Sequence, residues 1–409
     1  MSERQRAVEF VRRAGKRLSG PLARNRTGRF YVWTRVLLGR VERFARRGSV
    51  PGTPAPVTLE ALPVRAVGAT YRELEPPAPV VSPPPGWVWP SKFAVPARSR
   101  GAPPRGQGVV EIPGGTVFGP RGFFGPDPDG VLLEVSSLWA GDEAASLAQC
   151  ARALAVGVEE LDGVAMSLSI SSGGPNHAHA LLQSVPHLEL LRRGFGFEAD
   201  RFLLTPQPAM IEALTILGIP TDRLLFVPFS DGPAHRCQML RAATSPDNHE
   251  FGIDWVTDFL HELFLPDSPV QGSRRLYVRR GVARRKVLNE DDVLELLEPA
   301  GFEALSMDGR SIAQQAALFA SADVVVATHG AALANLVFAR PGTTVIELMG
   351  ANTASVVFAE LCWRRGLDYH LIMGTEPGPP DRWWTWQRFA DTVVDVGGLR
   401  TLLGGLGLG

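Results

Sequence analysis

The stretch Ala322-Asp323-Val324-Val325-Val326-Ala327-Thr328-His329-Gly330-Ala331-Ala332-Leu333-Ala334-Asn335 decides the fold. Its apolar run ending at Ala327 reads as a strand buried on both faces, as in a parallel sheet. A tight turn holding Gly330 leads straight into a helix. The first amides of a helix have no partner within it, so Gly330, Ala331 and Ala332 present donors suited to a phosphate or diphosphate. His329 can donate to a phosphoryl oxygen. The next strand, Thr344–Leu348, carries Glu347 near the same sheet edge, where it can accept from two ribose hydroxyls. Periodicity alone equally allows a core β-α-β unit with a capping histidine.

Outward from this stretch, the chain alternates strand and helix from about residue 140. Helices are expected at 143–156, 177–193 and 208–217, with strands at 163–171, 201–204 and 223–227. Residues 232–270 are less regular, with a helix at 252–264. A second alternation follows: strand 275–279, helix 290–300, strand 303–305, helix 311–320, strand 324–327, short helix 331–338 and strand 344–348. Such alternation predicts parallel sheets covered by helices. The expected fold is therefore α/β, with two Rossmann-like lobes and a cleft between them. The first lobe spans 106–245 and the second 246–375, with a C-terminal helical segment, 376–409, packing back across the lobes.

The zero net charge hides an asymmetry. Residues 1–50 hold 14 basic and 3 acidic residues, against 28 and 39 in the remainder. Trp33, Leu37, Val41 and Phe44 share one helical face, so this arm reads as a basic amphipathic helix able to lie on an anionic membrane surface. A solvated helix packed on its own body fits the same pattern. The arginines belong to no nucleic-acid-binding module, and the acidic body argues against such a partner. Residues 51–105 form a proline-rich connector, since 18 of the 34 prolines fall between 51 and 130. Asp127-Pro128-Asp129 could hold a divalent metal, but its glycine and proline neighbours make it ordinary turn chemistry. Three cysteines without a Cys-x-x-Cys pair argue against a disulfide framework and structural zinc. With no apolar signal core or spanning run, a cytoplasmic location is expected.

The run His329–Phe338, followed by Pro341-Gly342-Thr343-Thr344-Val345-Ile346-Glu347-Leu348, resembles the signature of glycosyltransferase family 61. Leu276–Arg280, Arg285–Glu290 and Gln315 with Phe319 match further elements. Asn176-His177-Ala178-His179-Ala180-Leu181-Leu182, with Pro186 beyond it, matches more loosely. The resemblance covers about residues 130–375. It implies an inverting, metal-independent transferase of the two-lobed GT-B type, needing no cofactor and acting in capsular or cell-surface polysaccharide synthesis. It also implies a nucleoside-diphosphate sugar donor in the second lobe and a glycan acceptor in the first. The arm at 1–50 would then hold the enzyme on the inner face of the plasma membrane.

By the same resemblance Arg280, Arg285, Asn289, His329, Gly330, Ala331, Asn335 and Glu347 bind the nucleotide sugar. Cations and amides aimed at a leaving diphosphate supply the largest catalytic contribution in such chemistry, which gives Arg280 a catalytic part. His179, in the first turn of a helix after a strand, suits the base that takes the acceptor proton. His177 would face elsewhere. Ala178, Ala180 and Gln183 depart from the family pattern, which has aromatics beside the histidine and a carboxylate one turn later. Ala332 and Ala334 depart from it in the nucleotide turn. These changes admit a second reading, a catalytically silent nucleotide- or glycan-binding scaffold. An NAD-dependent oxidoreductase fits poorly, because no Gly-x-Gly-x-x-Gly follows a strand.

Overall fold

The computed structural model describes residues 69–79, 81–85, 87, 106–118, 123–125, 153–169, 176–227, 232–244, 246, 250–265, 272–280, 285–350, 355–375 and 391–409. The basic arm at 1–50, the Asp127/Asp129 pair and most of the helix expected at 143–156 lie outside these residues.

The described residues form a mixed α/β fold on two sheets. The second sheet contains β9 (Arg274–Val278), β10 (Phe302–Leu305), β11 (Ala322–Thr328), β12 (Thr344–Met349) and β13 (Asp368–Met373). All five are parallel, in the order β10-β9-β11-β12-β13. Alternate residues of these strands feed two layers. Leu276, Val325, Ala327 and Val345 face one apolar cluster, while Tyr277, Val324, Val326 and Ile346 face another. The second cluster is closed by α5 (Glu290–Leu297) and α8 (Val396–Gly405). Helix α8 therefore packs on the second sheet, while residues 376–390 of the expected C-terminal segment lie outside the described residues.

The first sheet departs from a simple Rossmann pattern. Strands β5 (Val158–Ser167), β6 (Arg201–Leu204), β7 (Leu224–Phe226) and β8 (Ala234–Ala243) are parallel, in the order β8-β5-β6-β7. Antiparallel strands extend it beyond β8: β1 (Thr70–Glu75), β2 (Gln107–Pro113) and the pair β3 (Thr116–Phe118) and β4 (Phe123–Gly125). Strand β8 falls in the stretch read as irregular, because His235, Arg236, Gln238 and Arg241 interrupt its apolar residues. Two of them meet acids of β5: His235 lies 3.3 Å from Glu159, and Arg236 lies 2.9 Å from Glu160. These acids also explain why β5 begins five residues before its apolar run.

Part of the proline-rich connector is among the described residues. It contributes β1 to the first sheet and then reaches the second unit. Arg364 donates to the Pro79 carbonyl at 3.2 Å, and the Trp87 ring lies 5.6 Å from Trp363 and 5.4 Å from Tyr369.

One apolar cluster joins the two sheets. It contains Met166, Leu181, Leu182, Phe202 and Met210 from the first unit and Leu276, Phe319, Val325, Leu336 and Phe358 from the second. Each large apolar side chain buried here contributes about 2 kcal/mol. Between them lies α4 (Asp254–Phe264), as its apolar spacing predicts. A polar contact adds to the join. Glu212, on α3 (Pro208–Ile216), accepts from the Ile312 and Ala313 amides at 2.7 and 2.9 Å. These are opening amides of α6 (Ile312–Ala320), where a carboxylate satisfies free donors and complements the helix dipole.

Candidate functional site

The order of the second sheet has one reversal. The chain leaves β9 toward β10 on one side and leaves β11 toward β12 on the other. Ligands of open α/β sheets bind beyond the carboxyl ends of the strands at such a switch point. Here those ends deliver Arg279-Arg280 and His329-Gly330, with Val278 and Ala327 in register. Arg279 turns back to Glu290, at 2.6 Å. Arg280 turns inward, and its Nη1 donates to the His329 carbonyl at 2.5 Å. Burial works against the charged form of this guanidinium and lowers its pKa. Arg285 donates to the same carbonyl at 3.3 Å. Its φ of 66° is in the left-handed region, uncommon for a residue with a side chain and frequent at functional turns.

Gly330 is extended, so its backbone conformation does not demand glycine. Its size does. A Cβ there would lie 2.0 Å from Arg280 Nη1. The helix that follows, Ala331–Phe338, is 3-10 rather than α. Leu333 N donates to Gly330 O at 3.0 Å, so the tighter turn starts at once. Its opening amides still lack partners within the helix, which keeps the donor argument for Gly330 and Ala331.

Glu347 requires a correction. It has no exposed surface, and both carboxylate oxygens are engaged. His329 Nδ1 donates to Oε1 at 2.5 Å, and the Tyr369 hydroxyl donates to Oε2 at 2.5 Å. A sealed carboxylate cannot take two ribose hydroxyls. It orients His329 instead and leaves Nε2 as the imidazole atom able to meet a ligand.

The two asparagines also change role. Asn289 donates to the Val394 carbonyl at 3.0 Å and accepts from the Val394 amide at 2.8 Å. This amide clasp ties the start of α5 to the chain entering α8 through both ends of the side chain. Asn335 is fully buried; its Nδ2 donates to Gln315 Oε1 at 2.9 Å and to Ala332 O at 3.1 Å. Its Oδ1 lies 3.4 Å from His177 Nε2. Asn335 is thus a joint between the two units rather than a ligand contact.

The first sheet has its own reversal, between β8 and β5. The segment leaving β5 enters a single helical turn, α1 (His177–His179), capped by Asn176 accepting from Ala178 N at 3.0 Å. A π turn follows over Ala180–Ser184, and then α2 (Pro186–Phe195). The widening has a cause. Pro186 has no amide for the Leu182 carbonyl, and its ring would clash with it, so Val185 reaches back to Ala180 O at 2.9 Å.

Within this widened start, His179 Nδ1 lies 2.5 Å from Gln183 Oε1. Gln183 Nε2 donates to the Pro246 carbonyl, just past β8, at 2.8 Å. Burial lowers the pKa of His179, while the Gln183 contact partly offsets that. His179 is thus held as a neutral imidazole. His177, two residues earlier, turns to Asn335, as expected for a different face. Through that contact the His177–Gln183 segment adjoins the His329–Asn335 turn. Sequence reasoning missed Tyr369 as a partner and read Gln183 as the loss of one.

Residues 177–346 match the family described as Glycosyltransferase 61. This span starts at α1, beyond β5, and ends in β12, so it includes the switch point of the second sheet and the segment that follows the first sheet's. A segment of 114 residues is 30% identical to the EGF domain-specific O-linked N-acetylglucosamine transferase of Drosophila melanogaster. It covers 27% of this chain, and the chain spans 22% of that relative's length. Among the described residues, no helix is long and apolar enough to cross a membrane. Residues 177–346, which include the Arg280–His329 switch point of the second sheet, are thus similar to glycosyltransferase family 61.

Proposed function

We propose that the chain transfers a sugar from a nucleoside-diphosphate sugar to a hydroxyl of a glycan acceptor. The transfer proceeds with inversion and without a bound metal, between two lobes arranged in the GT-B manner. The observation that carries this reading is the convergence of Arg280, Arg285 and the His329-Gly330 turn at the switch point of the parallel sheet. Two cations and an imidazole edge beside helix-opening amides suit a leaving diphosphate. On the other side, His179 takes the acceptor proton on Nε2 as the hydroxyl oxygen bonds the sugar and the sugar–diphosphate bond breaks.

A capsular or cell-surface polysaccharide is the proposed product. The basic residues 1–50 would hold the enzyme to an anionic inner membrane face. The N-acetylglucosamine and EGF-domain substrates in the relative's name belong to that protein, and they add one donor to the test panel.

Calorimetry of the full chain in EDTA, against nucleoside diphosphates and nucleotide sugars, tests the donor assignment, and radiolabelled transfer to a glycan panel tests the reaction. Metal-free binding with transfer supports the proposal. Binding only with magnesium or manganese would remove the metal-independent assignment and return attention to Asp127 and Asp129. Donor binding with no transfer to any acceptor would favour a scaffold.

A further inference from the structure

We infer that Tyr369 and Trp87 are positioning residues for His329, acting through Glu347 to keep Nε2 of its imidazole turned to a diphosphate oxygen. The inference rests on the reading of His329 as a diphosphate contact and extends that site to residues on β13 and in the proline-rich connector.

The chain of contacts is short and closed. Glu347 has no exposed surface, so water does not satisfy its carboxylate. A buried carboxylate needs donors on both oxygens. Tyr369 supplies one and His329 the other, each at 2.5 Å. The tyrosine hydroxyl and the imidazole both donate to this acceptor, so Nδ1 of His329 carries hydrogen. The ring is thereby fixed with Nε2 on the opposite side, and in the imidazolium form its two N–H groups would bridge Glu347 and a phosphoryl oxygen.

Tyr369 is itself held. Burial and the neighbouring Glu347 carboxylate push its pKa well up, so it remains a donor. Its ring packs 5.4 Å from Trp87 and 6.3 Å from Trp363. Trp87 arrives from the segment that begins as β1 in the first sheet, with Pro79 O bound by Arg364 on the way. The connector thus braces the tyrosine against α7 (Val357–Arg364), and the tyrosine braces the carboxylate.

The test uses the full chain as parent, Tyr369→Phe, Trp87→Leu, Trp87→Phe and the Trp87→Leu/Tyr369→Phe double variant, with His329→Gln for assignment. Two readouts are taken. Imidazole nitrogen shifts, read by NMR on histidine-labelled protein and assigned with His329→Gln, report which nitrogen of His329 bears hydrogen without any ligand. Calorimetry with a nucleoside diphosphate reports affinity. The parent should show Nδ1 protonated. Tyr369→Phe, which keeps the ring and removes only the hydroxyl, should give a mixed tautomer signature and about tenfold weaker binding, as for one lost hydrogen bond to a charged group. Trp87→Leu should do the same more weakly, Trp87→Phe should restore the parent, and a Trp87→Leu/Tyr369→Phe double variant should be no worse than Tyr369→Phe alone.

A folded Tyr369→Phe protein with the parental tautomer and affinity would overturn the inference. If that variant does not fold, a Trp87→Leu protein with parental values does so instead. A parent that binds no diphosphate yet shows the Nδ1 tautomer, mixed in Tyr369→Phe, would overturn the functional reading while the positioning stands.

Discussion

His179 Nδ1 donates to Gln183 Oε1, 2.5 Å away, and the direction of that bond is fixed from outside the pair. The Gln183 amide nitrogen is committed to the Pro246 carbonyl at 2.8 Å, an atom that can only accept. The side-chain oxygen of Gln183 therefore faces His179, and Nδ1 must carry the hydrogen. This leaves the Nε2 lone pair to accept a proton. Glutamine at this position keeps the orienting bond that a carboxylate would give and omits the charge that would raise the histidine pKa. The departure from the family pattern thus changes where the base titrates rather than removing its support.

A base of this kind has a pH signature. It acts when neutral, and burial lowers its pKa below the ordinary histidine value. The rising limb of kcat/KM should therefore lie on the acid side of the usual histidine range, with activity level through neutrality. His179→Ala should lower turnover by ~10²–10⁴-fold and leave donor affinity unchanged. Gln183→Glu should move the limb to higher pH, because an adjacent carboxylate favours the imidazolium. A His179→Ala enzyme with parental turnover would assign the base to another group.

Asn289 offers a contrast between a family position and a structural role. Both ends of its amide are bonded to the backbone of Val394. Asn289→Ala should lower stability by about 1–3 kcal/mol, the cost of leaving buried backbone groups without partners. Nucleoside-diphosphate affinity of the folded fraction should remain parental. Denaturant melts and calorimetry on one preparation separate the two effects, and lost affinity at full stability would restore the ligand role.

Acid should weaken the fold through His187. It is almost wholly buried, and desolvation lowers its pKa to about 3. Above the unfolded histidine pKa both states are neutral and nothing is lost. As pH falls below that value the unfolded chain binds a proton that the folded chain refuses, and stability declines until the folded pKa is reached. Between neutrality and about pH 5 this one group should cost on the order of 2 kcal/mol. Urea melts at the two pH values should show a smaller difference for His187→Leu than for the parent.

The second sheet was readable because its information is local. Each of β9, β11 and β12 is an apolar run of its own, and the turn from Thr328 to Gly330 follows its strand directly. The site partners were not readable because they are distant along the chain. Glu347 looks available until Tyr369, 22 positions later, is placed beside it by the parallel pairing of β12 and β13. Trp87, 282 positions earlier in the chain, meets Tyr369 after the connector has left β1 on the first sheet. The first sheet resisted for another reason. Ion pairs allow β8 and the start of β5 to carry charges at positions where a buried parallel strand would be apolar, so alternation failed as a signal.

Gly330 and Arg280 supply the sharpest test of the switch-point site. The φ of Gly330 is 170°, extended backbone that alanine adopts without strain. A methyl group there meets only the end of the Arg280 guanidinium, 2.0 Å away, and not the backbone. Gly330→Ala should therefore fold as the parent does and displace Arg280 from the His329 carbonyl. Arg280→Lys keeps the charge and removes the planar fork that can hold two phosphoryl oxygens. Each variant should weaken nucleoside-diphosphate binding by about tenfold or more, the scale of a charge-assisted hydrogen bond. Both act on the same group, so the double variant should be close to the weaker single rather than their sum. Additive losses would mean that Gly330 serves the ligand directly through its backbone. Parental affinity in a folded Gly330→Ala protein would remove Arg280 from the site.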